Sequence, residues 1–157
     1  MNEQSHVCFT LEAALEHAVE MENVVFTDFL STIQAVKNKT AKEILREAAL
    51  GKLKEKYQLE KALLEGNIEG VELHASVPTM NLDTHYGKKA LHADADARES
   101  LAYAVHLVTQ AVDYYKTMAS ACEGAPMSNV FARISGDQTA LLQFLEDTYE
   151  EHFLTEN

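Results

Sequence analysis

The sequence predicts an all-α protein, folded as one four-helix bundle over residues 1–157. Three observations point there. Strong helix formers (Ala, Leu, Glu, Lys) are abundant, while there are only 2 Pro, 6 Gly and no Trp. Apolar residues recur at helical spacing in four long windows. The chain is 46% hydrophobic, enough for a single domain to bury a sizeable core.

Thr10 is the expected N-cap of a first helix from about residue 11 to 36. Its inward stripe is Leu11, Leu15, Ala18, Glu22, Val25, Phe29 and Ile33. After the short linker KNK, Thr40 and Glu43 form a capping box that opens a second helix, about residues 41 to 65, with Gly66 just past its end. Residues 67–93 hold Gly70, Pro78 and Gly87 among scattered apolar residues, which predicts a long ordered connection. Asp94 or Asp96 caps a third helix, about residues 95 to 121, with stripe Leu101, Ala104, Val108, Ala111, Tyr115 and Met118. CEGAP stops it through Gly124 and Pro126. A fourth helix covers about residues 127 to 152, with stripe Phe131, Ile134, Gln138, Leu141, Leu145 and Thr148.

Short loop, long connection, short loop predicts two antiparallel helix hairpins joined by one crossover. Among four-helix bundles that is the ferritin-like arrangement; a plain up-down bundle has no need of about 27 residues between its middle helices. A weak internal repeat agrees. Shifting the numbering by 86 aligns both hairpins without a gap, matching Leu15 with Leu101, Ala18 with Ala104, and Leu59 with Leu145.

Composition excludes several functions. A net charge of −12 argues against nucleic-acid or anionic-membrane partners, which require clustered Lys and Arg. No apolar run approaches a membrane span. MNEQSHVCFT lacks a basic region and a long apolar core, so no signal peptide is expected. Cys8 and Cys122 are too few for a disulfide framework and read as reduced thiols in a cytoplasmic protein. The histidines, among them His74, His85, His92 and His106, lack tight metal-ligand spacing and read as scattered and solvent-exposed; His17 falls at a core boundary and His152 at a frayed end. Tyr114 and Tyr115 read as packing residues. No phosphate loop or Ser-His-Asp ordering is present.

The stripe of helix 2 poses the functional question. It runs Leu45, Ala48, Lys52, Glu55, Leu59, Ala62, with a lysine and a glutamate in the middle. In the metal-binding bundles of this arrangement, two helices each give a Glu and the other two each give a Glu-x-x-His pair. The segments AVEMENVVFTDFL, ILREAALGKLKEKYQLEKALLEG, VPTMNLDTHY with LHADADARESLAYAV, and AVDYYKTMA resemble, over nearly the whole chain, the rubrerythrin-like branch of the ferritin-like proteins. The resemblance implies iron-dependent redox chemistry at six ligand positions. Of these, Glu22 keeps the family's residue. Lys52 stands in place of the second-helix Glu and Glu55 in place of its His; Val108 replaces the third-helix Glu, and Gln138 and Leu141 replace the last Glu-x-x-His.

Val108 and Leu141 cannot bind a metal, and Lys52 puts a cation where the cation would be. The expectation is therefore a degenerate di-iron site without metal or other cofactor. Glu22, Lys52, Glu55 and Gln138 are expected to form an internal polar cluster there, with Val108 and Leu141 closing the remaining volume; the alternative is a rotated second helix whose Lys52 snorkels to solvent. The chain is expected to act as a metal-free structural, binding or regulatory bundle with no catalytic residues, its small-molecule ligand, if it has one, unspecified. The alternative is an iron-binding oxidoreductase or peroxide- or iron-handling protein with rearranged ligands, built on Glu22 and Glu55 with Glu47, His106 or Asp137. Apolar residues outside the main stripes (Val24, Phe26, Leu30, Leu50, Leu53, Tyr57, Leu64) predict a second packing neighbour, and with the resemblance, which implies pairing through the first hairpin, the expectation is a homodimer.

Overall fold

Four long helices account for nearly all of the chain that the computed structural model describes, which is residues 10–66, 78–79, 91 and 93–154. They are α1 (Leu11–Ala35), α2 (Lys39–Glu65), α3 (Ala97–Ala121) and α4 (Pro126–Tyr149), and α4 runs on into a π-helical turn, Glu150–Leu154. No strand occurs among the described residues, and no helix there is long and apolar enough to cross a membrane. The expected crossover 67–93, with His74, His85 and His92, lies almost entirely outside the described residues, as does Cys8.

Local chemistry sets the helix ends. The Thr10 hydroxyl accepts from the Ala13 N–H at 3.2 Å, as expected of an N-cap. α2 begins earlier than its capping box suggests, because Asn38 is the cap: its side-chain oxygen accepts from the Ala41 N–H at 2.9 Å. Gly66 ends α2 in the left-handed region, φ 74°, and its N–H reaches back to the last turn. Asp96 caps α3 through the Glu99 N–H at 2.8 Å. Gly124, φ 89°, and Pro126 at the first turn of α4 make the reversal between α3 and α4. The Ser128 hydroxyl ties that reversal to the Ala119 carbonyl at 2.8 Å.

The fourth helix stops at Tyr149 rather than near residue 152 because its last turn widens. The Tyr149 and Phe153 rings pack at 5.3 Å between centroids. Arg98, at the start of α3, donates to the Tyr149 hydroxyl at 2.8 Å and lies over its ring. The start of α3 also meets the α1–α2 turn, where the Lys37 N–H donates to the Ala93 carbonyl at 3.1 Å. The chain therefore leaves α2 at one end of the bundle and enters α3 at the other.

The core has two apolar halves. Near the α1–α2 turn, Phe29, Leu45, Ala48, Leu101, Val105, Val108, Leu142 and Leu145 pack together. Toward the α3–α4 turn, Leu15, Ala18, Leu59, Tyr115, Met127, Phe131 and Ile134 form the second half. Cys122 is buried there and disulfide-bonded. The expectation of reduced thiols, and the cytoplasmic assignment resting on it, loses its basis at this residue, since disulfides persist where the surroundings are oxidising.

Candidate functional site

Between the two apolar halves lies one polar layer. On α1, Glu22 falls between Ala18 and Phe29; on α2, Lys52 and Glu55 fall between Ala48 and Leu59; on α4, Gln138 falls between Ile134 and Leu145. All four are buried, and Glu22, Lys52 and Gln138 are wholly so. Helical periodicity turns each of them inward, and the packing of the helices brings them to one level, as their mutual contacts show.

Lys52 is the centre of the layer. Its ammonium lies 3.3 Å from Glu22 Oε2 and 3.4 Å from Glu55 Oε2. Its Nζ donates to Gln138 Oε1 at 2.8 Å. Gln138 in turn donates through Nε2 to Glu22 Oε1, so the amide bridges cation and anion. Lys52 and Gln138 are also the residues that the 86-residue repeat superposes. The Tyr115 hydroxyl is 3.1 Å from Glu22 Oε1 and 3.3 Å from the Ala18 carbonyl, and shares its proton between them.

The electrostatics follow from one cation facing two carboxyl groups out of water. Burial works against the Lys52 ammonium, but the Glu55 and Glu22 charges outweigh it and raise its pKa above the ordinary lysine value of 10.5. Burial pushes the Glu55 carboxyl up to about 8; Lys52 opposes that rise, and the Glu22 and Asp137 charges add to it. Burial, together with the Glu22 charge, holds the Tyr115 phenol well above 10. Lys52 is thus a fixed cation rather than a nucleophile, Tyr115 stays protonated, and Glu55 is the group that exchanges a proton near neutral pH. Neither Glu22 Oε2 nor Glu55 Oε2 has an aligned hydrogen bond; both depend on the nearby Lys52 charge.

Val108 and Leu141 flank this layer with hydrocarbon. Val108 is fully buried, and Leu141 is partly buried against the same apolar half. Leu141 owes its position to Gly51: a Cβ there would meet Leu141 Cδ1 at 3.0 Å. A glycine in mid-helix costs about 1 kcal/mol relative to alanine, and here it admits Leu141 against the α2 backbone.

The expected cluster of Glu22, Lys52, Glu55 and Gln138 is therefore brought together, and Tyr115 joins it. Tyr115 is a packing residue by its ring, as expected, with Phe131 at 5.6 Å. Its role toward Glu22 was detectable in principle, because a tyrosine on a core stripe needs a partner for its hydroxyl. His106 departs from the expected exposure and is buried. Glu47 is exposed on the outer face of α2. A cleft of about 570 Å³ opens at the bundle end, lined by residues including Thr10, Leu15, Leu63 and Gly66, and not at the polar layer.

The donor set does not fit a pair of metal ions. Two carboxylates face an ammonium, and the remaining positions are an amide, a valine and a leucine. Among the described residues no three His, Cys, Asp or Glu side chains are grouped to hold a metal ion. Comparisons with protein-family models, with characterised proteins and with solved structures find no match to this chain.

Proposed function

We propose that the chain is a ferritin-like bundle of the rubrerythrin type whose metal layer is replaced by an internal ion pair, and that it works as a metal-free structural, binding or regulatory protein. The observation that carries this reading is Lys52 Nζ at 3.3 and 3.4 Å from two buried carboxyl groups. A lysine there supplies the positive charge that buried carboxylates require. The contact between the α1–α2 turn and the start of α3 supports the ferritin-type connection. A polar layer of this kind also favours one packing register of the helices over slipped ones, the role best attested for buried polar groups.

The rearranged-ligand alternative draws less support. Glu47 faces outward, and His106 is two residues from Val108, about 200° round the helix. The discriminating experiment is refolding in ferrous iron without oxygen, followed by air exposure, desalting and metal analysis. The proposal expects only trace iron and no absorption band from bridged iron. Near-stoichiometric iron with such a band would refute it.

A further inference from the structure

The two glutamates of the polar layer share one ammonium, since Lys52 faces both Glu22 and Glu55. One ammonium neutralises one carboxylate, so a second carboxyl is stable in a dry layer only while it keeps its proton. The two are not equivalent. Glu22 Oε1 receives the Gln138 amide and the Tyr115 hydroxyl. Glu55 is held through its ion pair with Lys52, and its Oε2 has no aligned hydrogen bond. Glu55 also lies nearest to solvent: its side chain is 10% exposed, against 0% for Lys52 and Glu22. Gly51, one turn before it on α2, meets Leu141 of α4, and Gly51, Asp137 and Leu141 are all partly exposed, so water reaches this side of the layer.

We propose that Glu55 is a proton-operated catch on α2: protonated, its carboxyl lies in the layer against Lys52; ionised, it turns outward to solvent and lets the centre of α2 open locally. Lys52 keeps Glu22 as its partner in both positions, so the pair left inside stays neutral. Gln138 and Tyr115 continue to serve Glu22, so the outward turn strands no donor of theirs. The movement is a rotamer change of one side chain, followed by water entering where the carboxyl lay.

The groups that face Glu55 decide when the catch releases. Burial works most strongly against the ionised carboxyl in place, and Glu22 on α1 and Asp137 on α4 add to it; Lys52 on α2 works the other way. From α3 the Tyr115 phenol faces the same group, stays protonated and supplies no counter-charge. The carboxyl therefore ionises in place only at about pH 8, against 4.5 in water. Across that range each rise in pH favours the outward, hydrated position over the inward one. The catch is closed in mild acid and released in mild alkali.

The test is amide hydrogen exchange of the full chain by mass spectrometry at about pH 6 and about pH 8, corrected for the intrinsic pH dependence of exchange. The catch requires a metal-free layer, so the exchange is run in chelator, and iron uptake is left to the separate refolding experiment. In wild type, protection of α2 around Lys52 and Glu55 should fall more than about tenfold between the two pH values, while α3 changes less than about threefold. Glu55→Gln has the shape of the protonated acid, so its helicity by circular dichroism should match wild type and its α2 protection should change less than about threefold. Asp137→Asn removes a charge that opposes the ionised carboxyl in place, and should show a smaller fall than wild type. A flat wild type, a fall that persists in Glu55→Gln, or an equal loss over all four helices would overturn the catch.

Discussion

The Lys52 ammonium and the Glu22 carboxylate are 3.3 Å apart with both side chains fully buried, and Gln138 hydrogen-bonds to both. A buried pair of this kind gains little over a well-packed apolar replacement, but removing one member leaves an uncompensated charge. Its value is the requirement it places on α1, α2 and α4 to meet at one level. The layer divides the core, and any slip of one helix would strand a charge in hydrocarbon.

Glu55 makes stability depend on pH. Its ordinary pKa is 4.5 and its folded value about 8, so between those values the folded chain binds the additional proton. Its contribution is fully present below about pH 4.5 and is lost as pH rises toward about 8. Lys52 and Tyr115 have pKa values raised above 10.5 and 10, so their contributions are lost only at higher pH. Urea denaturation at about pH 5 and about pH 8 should show wild type less stable at the higher pH, with a Glu55 share on the order of a few kcal/mol. Glu55→Gln should flatten the profile. An unchanged slope in that variant would remove Glu55 as the source.

The Tyr115 hydroxyl lies 3.1 Å from Glu22 Oε1, the oxygen that also accepts from Gln138, while Lys52 faces Oε2. Tyr115→Phe keeps the ring against Phe131 and deletes only the hydroxyl, so the expected loss is about 1–2 kcal/mol. Equal denaturation midpoints for variant and wild type would mean that the hydroxyl contributes nothing.

Cys122 is disulfide-bonded, so an alkylating reagent should leave it unmodified in unfolded, non-reduced protein and label it after reduction. Reduction should also destabilise the fold by about 2–4 kcal/mol. Labelling of Cys122 without reductant would restore the free-thiol reading.

Much of this arrangement is legible in the sequence because it depends on helical period. The stripes place Glu22, Lys52, Glu55 and Gln138 at core positions, and the structure joins them in one layer. Periodicity tells which face is buried, but not which atoms meet, so the Tyr115 bond to Glu22 stays hidden until α1 and α3 are packed together. His106 escapes for a related reason: α3 is buried nearly all round from Val105 to Val108, and a single stripe understates that. The ends of α2 and α4 shift because Asn38 competes with Thr40 as the cap and because the final turn widens around Tyr149 and Phe153. The Cys122 disulfide depends on proximity in three dimensions, which spacing alone does not reveal.

The most direct measurement is the stability of Lys52→Met, which keeps most of the unbranched side chain and deletes its charge. With Glu22 left without its counter-charge in a dry core, unfolding free energy at neutral pH should fall by about 3–5 kcal/mol. A variant as stable as wild type would contradict the claim that Lys52 holds this layer together.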